Sequence, residues 1–331
     1  MNSRLKRLTT FVAASAVALL GLASLAEAKE KISFAYVIDP SMELTLYGIK
    51  SGKVSSSTVE VEPVALDLPA LLQVTATKRY DLVQAAAISL PRLAQRGLDL
   101  KIAGISLRLI SGDGGNIWVP QNSPLKDIKE LKGKKLGTFA LNSTGITIMR
   151  IALWKHYGFN VALEGGDIKF NEMASANIAP ALLTNQVDAG VLALSNNYKA
   201  SRNPEFRPLA KMYETYKGVF DGDPVSTVII GYPERMDKKP DAYKEALRLL
   251  RASRDYAIEH AKDVNPIVAK QEQIDEDFFV YLFREAVDVP IYIKDSDIKA
   301  LTKLYDYSKQ IGVIENTIPV EPAVWSQAPR Q

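Results

Sequence analysis

The sequence predicts an α/β protein, and three observations carry that prediction. From Lys31 onward, short apolar runs of strand length alternate with longer amphipathic segments of helical period. Two glycine-rich bends, Ser111-Gly112-Asp113-Gly114-Gly115 and Asp221-Gly222-Asp223-Pro224, lie about a hundred residues apart. After Pro240 the pattern is almost wholly helical. The bends admit two readings: ordinary surface turns, or the points where the chain leaves one lobe and returns to it.

The elements follow in order. Ile32 to Val37 reads as a strand, Met42 to Lys50 as a helix, and Val59 to Ala65 as a strand. Leu68-Pro69 opens a helix through Thr77, since proline suits a first turn. Asp81 to Ala85 is a strand, Leu90 to Arg96 a helix stopped by Gly97, and Leu100 to Gly104 a strand. Beyond the first bend come the strands Asn116 to Val119 and Lys135 to Phe139, then a helix from Ser143 to His156 stopped by Gly158. Ile168 to Met173 and Ala189 to Leu194 read as strands flanking a helix at Ile178 to Leu183. Val225 to Gly231 is the strand after the second bend. Ala246, Leu249, Leu250, Ala257 and Ile258 form an apolar stripe on a helix from Ala242 to Ala261. Helices at Phe278 to Ala286 and Asp297 to Ile311 complete the chain.

The N-terminus reads as an address. Arg4, Lys6 and Arg7 precede an apolar run from Phe11 to Leu25, which ends in Ala26-Glu27-Ala28. A basic region, a short apolar core and an A-x-A exit describe a secretory signal peptide over residues 1–28, with Lys29 as the new N-terminus. The alternative is a membrane anchor, but the run is shorter than the ~20 residues that span hydrocarbon. The sequence contains no cysteine, which excludes disulfides, thiol nucleophiles, thiolate metal sites and a lipid-anchor cysteine. Without Arg4, Lys6, Arg7 and Glu27, the 41 basic and 38 acidic residues fall to 38 and 37. So even a balance offers no electrostatic footprint for nucleic acid or an anionic membrane.

Four groups of residues, in order, resemble one family. Asp81-Leu82-Val83, Leu90-Pro91 and Arg96-Gly97-Leu98-Asp99-Leu100-Lys101-Ile102-Ala103-Gly104 look like its strand, site loop and return. Ser123-Pro124-Leu125-Lys126-Asp127-Ile128, running into Leu131-Lys132-Gly133-Lys134-Lys135-Leu136-Gly137, is similar to the turn that opens its second lobe. Ala181-Leu182-Leu183 with Gln186-Val187-Asp188-Ala189-Gly190 matches a third motif, with Asn185 where glycine is usual. Asparagine tolerates left-handed backbone, so the departure is mild. The helix after Pro240 resembles the family's late return helix. The chain thus resembles the periplasmic solute-binding proteins of ABC importers, in the branch named for nitrate, sulfonate, taurine and thiamine-precursor carriers.

The resemblance implies a type II periplasmic-binding fold, with two α/β lobes joined by two crossover strands. Lobe one would comprise residues 29–115 and 228–331, and lobe two 116–227. It also implies a monomer, free in the periplasm, that closes on a small organic anion and delivers it to an inner-membrane permease with its ATPase. No cofactor, metal or catalysis is expected. A periplasmic sensor is an alternative recipient of the ligand signal, and a biosynthetic enzyme on the same fold is another.

Ligand contacts are expected where strands end and helices begin, because the first amides of a helix lack internal partners. In lobe two these are Asn142, Ser143 and Thr144, with Ser195 and Asn196 after the last strand. Asn142 or Ser143 also suits a helix cap. In lobe one they are Tyr36, Ile38 and Asp39, Leu68, and Ala87 with Ile88; Gly114, Gly115 and Ser226 lie on the crossovers. Tyr36 is read either as a ligand contact or as core, and Asp39 as a contact or a helix cap. Ala85-Ala86-Ala87 suggests an apolar wall. Arg108, between leucines, is expected to face solvent. No G-x-S-x-G elbow, Walker A loop or dinucleotide fingerprint is present. The two histidines, His156 and His260, fall late in predicted helices, where the dipole favours them.

Overall fold

A computed structural model describes residues 28–110 and 115–331. The leader up to Glu27 and the first bend through Gly114 lie outside the described residues, as does the expected contact at Gly114. The chain opens with β1 (Glu30–Val37), α1 (Pro40–Thr45), α2 (Tyr47–Lys50), β2 (Val59–Leu66), α3 (Leu68–Thr77), β3 (Leu82–Ala86), α4 (Ser89–Gln95) and β4 (Lys101–Leu109). Next come β5 (Ile117–Pro120), β6 (Lys135–Thr138), α5 (Thr144–Tyr157), β7 (Lys169–Glu172) and α6 (Ser175–Leu183). Then follow β8 (Ala189–Val191), α7 (Leu194–Arg202), β9 (Phe206–Ala210) and α8 (Tyr213–Phe220). The return runs through β10 (Val225–Gly231), α9 (Pro233–Met236), α10 (Pro240–Glu259) and α11 (Ala261–Glu272). It ends in α12 (Asp277–Tyr281), a π-helical turn (Leu282–Ala286), β11 (Val287–Asp288), α13 (Asp295–Gln310) and α14 (Val320–Ala323).

The strands form two sheets. One has the order β11-β4-β10-β3-β1-β2; the other has β7-β6-β8-β5-β9. β1 pairs parallel with β2 and β3, whereas β10 inserts antiparallel between β3 and β4. In the second sheet β6 lies parallel to β7 and β8, and β5 antiparallel to β8 and β9. Parallel strands need helical crossovers, which the sequence supplies. The chain passes between sheets twice, after β4 and before β10. Residues 225–227, expected in lobe two, already belong to the first sheet through the pairing of Val225 with Arg108 and Thr227 with Ala86.

Local chemistry sets several boundaries. Asp39 caps α1 by accepting the Ser41 amide, and Asp67 caps α3 by accepting that of Ala70. Gly158, at φ +76°, ends α5 with bonds to Leu153 and Trp154. Asn185 sits at φ +56°, the left-handed geometry asparagine tolerates. The expected helix Met42 to Lys50 is divided at Leu46, and that at Phe278 to Ala286 becomes α12 plus the π turn. The strand expected to run to Leu194 ends at Val191, and α7, β9 and α8 occupy the stretch from Leu194 to Phe220, where no element is expected beyond that strand. Among the described residues, no helix is long and apolar enough to cross a membrane.

Arg108 corrects the sequence reading. It is buried at 4% exposure, on the face of β4 opposite its cavity-lining neighbours Leu107 and Leu109. Its Nε and Nη2 donate to the two carboxylate oxygens of Asp297 at 2.6 Å each, and Nη1 donates to Asp288 at 2.7 Å. Burial works against its charge, but Asp297 and Asp288 outweigh burial and raise its pKa. Alternation along the strand correctly separated Arg108 from the leucines; the partner that makes burial possible lies on a helix far along the chain.

Candidate functional site

A cavity of about 780 Å³ lies between the two sheets, beyond the ends of their strands. This is where open α/β sheets place ligands, because helix starts with unpaired amides converge there. The first wall is built from Ile38 and Asp39 after β1, Leu68 at the start of α3, Ala85 and Ala86 of β3, and Leu107 and Leu109 of β4. Ser226 and Thr227 of β10 complete it. The second wall carries Ser143, Thr144 and Gly145 after β6, Glu172 to Ser175 from the last residue of β7 onward, and Val191 to Asn197 from the last residue of β8 onward. Gly115, Tyr216, Tyr281, Ala286 and Val289 also line the cavity.

The expected contacts divide. Ile38, Asp39, Leu68, Gly115, Ser143, Thr144, Ser195, Asn196 and Ser226 line the cavity. Tyr36 does not: its ring is fully buried, and its hydroxyl donates to Glu43 and accepts from Lys50. Ala87 and Ile88 are likewise fully buried outside the lining. The Ala87 amide donates to Ser226, and its carbonyl accepts from Tyr305. Asn142 is exposed and off the lining, and Ser143 is the residue that caps α5.

Thr144 does more than face the cavity. Its Oγ1 accepts the Ile88 amide at 3.2 Å, tying the start of α5 to the start of α4 across the two walls. A second tie runs through Asn197, whose Oδ1 accepts from Trp118 at 2.6 Å while its Nδ2 donates to Tyr281 at 2.7 Å. Tyr198 packs beside it against Phe278 and Tyr281, at ring separations of 5.5 and 5.3 Å.

Glu172 to Ser175 went unrecognised in the sequence. The same strand-end rule would have found them had α6 been started at Ser175 rather than Ile178. Its N-cap, Ala174, carries no capping side chain and so left no signal. The N-cap of α7, Ala193, is equally plain, so neither helix spends its first amides on a side-chain cap. Asn196 Nδ2 donates to Ser175 Oγ at 3.0 Å, holding these two helix starts together.

The electrostatics are one-sided. Asp39 and Glu172 line the cavity, and no lysine, arginine or histidine does among the described residues. Burial raises the pKa of Asp39, while hydrogen bonds from Ser41 pull it back down. The remainder of the lining is largely apolar, with Ala85, Ala86, Leu107, Leu109 and Phe139 prominent.

Two α/β lobes crossed twice by the chain, with strand ends facing a shared cavity, define the periplasmic-binding-protein fold. The chain matches the model of the NMT1/THI5-like family over residues 72–264, more than half its length, and belongs to that family. It is similar in structure to the periplasmic aliphatic sulphonate binding protein SsuA of Escherichia coli, at a TM-score of 0.73 and 14% identity over 91% of this chain and 99% of that one. The alkanesulfonate-binding SsuA of Xanthomonas axonopodis pv. citri, bound to MOPS, gives 0.68 and 18% over 92% and 100%. The desulfurization enzyme DSZB gives 0.62 and 13% over 91% and 97%. At these identities the likeness is one of fold, and the fold carries binding proteins and an enzyme alike. A putative thiamine biosynthesis protein of Haemophilus influenzae is 28% identical over 181 residues. That match covers 54% of each chain, so this chain spans about half the length of that curated relative.

Proposed function

We propose that this chain is the capturing component of an ABC importer. It would close its two lobes on a small organic anion of carboxylate or sulfonate type and deliver it to an inner-membrane permease with its ATPase. In this reading residues 1–28 are removed on export and the mature protein is a periplasmic monomer without catalytic activity. Residues 29–115 and 225–331 would form one moving body and 116–224 the other, the return crossing lying before β10.

The observation that carries the reading is a largely apolar cavity between two sheets that the chain joins at two crossings. Such a connection suits hinge closure, in which a few loop residues absorb the backbone change. The starts of α6 and α7 would receive the oxyanion, since their first amides take no side-chain cap and the helix dipole favours negative charge. Charge at such an end gains about 0.3–1 kcal/mol when exposed and up to about 2 when partly buried. The apolar body would then rest on Ala85, Ala86, Leu107 and Leu109.

A thermal-shift screen of small sulfonates and carboxylates on the protein beginning at Lys29 tests the reading. A true ligand at 100 times its Kd adds about 2.7 kcal/mol. Titration calorimetry then fixes stoichiometry at one per chain. Tight binding of purely inorganic anions, with no organic ligand found, would overturn it. Capture by detergent-solubilised permease would separate import from sensing.

A further inference from the structure

We propose that Arg92 and Arg150 form a second ligand site, outside the cavity, that takes a small oxyanion of the phosphate or sulfate type. Arg92 lies on α4, which follows β3 of the first sheet, and Arg150 on α5, which follows β6 of the second. The bond from the Ile88 amide to Thr144 Oγ1 brings the starts of these two helices together. Neither arginine lines the cavity. Arg150 is 4% exposed, yet no carboxylate among the described residues pairs with it. Its Nε and Nη2 donate to the Val161 carbonyl at 3.2 and 2.9 Å, and Nη1 donates to none of the described residues. The Phe170 ring lies 5.6 Å from the guanidinium. Arg92, partly buried, donates Nη2 to the Val313 carbonyl at 2.9 Å, which leaves its Nε and Nη1 over.

A buried charge is ordinarily paired, because the loss of water otherwise outweighs what a carbonyl or a ring returns. The chain shows that ordinary solution at Arg108, which holds Asp297 and Asp288. At Arg150 the sign is left uncompensated. Burial, and after it the charge of Arg92, lower the Arg150 pKa to about 10; burial, and after it the charge of Arg96, lower that of Arg92. An oxyanion between the two guanidiniums turns their repulsion into attraction and accepts the donors left over. The planar fork of arginine matches two oxygens of a phosphate or sulfate. Arg92, the less buried of the pair, offers the approach from solvent. Because the arginines stand on helices of different sheets, the bound anion also ties the two walls from outside the cavity. The site does not depend on the capture reading, since none of its residues belongs to the lining.

Titration calorimetry with inorganic phosphate and with sulfate, in Tris chloride at fixed ionic strength, tests the site on the protein from Lys29. The parent should bind either anion saturably, and Arg92→Gln should bind it at least about tenfold more weakly. Lys53→Gln removes an exposed charge of the same sign after α2 and should keep the parent's affinity. Arg92→Lys keeps the charge but loses the fork, so its affinity should fall between those of the parent and Arg92→Gln. Crystals of the parent soaked in selenate should show the anomalous peak between the two guanidiniums. Absence of saturable binding, equal affinity in Arg92→Gln and Lys53→Gln, or a selenate peak confined to the cavity overturns the site. Phosphate that is lost in Arg92→Gln does not bear on capture, because the substitution leaves the cavity lining untouched.

Discussion

Replacing Asp297 with alanine should be among the most damaging single changes in the first lobe. Asp297 is 1% exposed and Arg108 is 4% exposed, so neither charge has water to fall back on. The substitution removes two of the three carboxylate bonds that hold the guanidinium, leaving only the partly exposed Asp288. It also removes the acceptor for the Lys294 amide at the start of α13. Breaking a buried pair from one side costs about 3–5 kcal/mol, because the surviving charge is left unpaired. A domain of this kind has about 5–15 kcal/mol in total. Urea unfolding should show the midpoint falling with the slope unchanged. The double replacement Arg108→Met with Asp297→Leu should recover most of the loss, since an apolar pair of similar volume needs no solvation. Ligand affinity should fall in the single variant too, because Leu107 and Leu109 on the other face of β4 line the cavity. A loss below about 1 kcal/mol in Asp297→Ala, or a double variant no better than the single, would refute the reasoning.

Three further outcomes are expected. In Gly190→Ala the new Cβ would sit 2.6 Å from Ile178 Cγ2 and 3.2 Å from Leu182 Cδ1, so overpacking should cost about 1–3 kcal/mol by chemical denaturation. Thr144→Val keeps the shape but strips the Ile88 amide of its acceptor. The cost is about 1–3 kcal/mol, with hydrogen exchange at Ile88 accelerated beyond that of α4 as a whole. Asn197→Ala releases both Trp118 Nε1 and the Tyr281 hydroxyl from that side chain. The emission of Trp118 should shift, and melting should fall by about 1–3 kcal/mol, while Lys199→Ala, on the exposed face of α7, changes neither.

Much of the fold was legible because periodicity and punctuation agree. Ala85 and Ala86, Leu107 and Leu109, and the helix from Pro240 announce themselves by spacing alone. The strand-end rule led to Asp39, Leu68, Ser143, Thr144, Ser195 and Asn196, all of which line the cavity. Its failures have local causes. Ala174 is a helix start without a capping residue, so Glu172 to Ser175 stayed hidden. Tyr36 satisfies its hydroxyl on α1 and α2, and that dictates burial, yet Glu43 and Lys50 become neighbours only once those helices form. Arg108 needed knowledge of Asp297, 189 residues along the chain, which no local pattern encodes. The segment from Leu194 to Phe220 mixes short elements with polar faces, and its strand pairs only at the edge of the second sheet.

The seat of β10 has a consequence for how the molecule is made. It lies in the interior of the first sheet, between strands that precede it by more than a hundred residues. Until Gly231 has left the ribosome, β3 and β4 cannot acquire their shared partner, and each shows an open row of amides and carbonyls. The second sheet, contiguous from Ile117 to Ala210, has all its strands before that moment. Assembly of the first half is thereby deferred until the other half is synthesised, so the second sheet can close while the first still waits for its central strand.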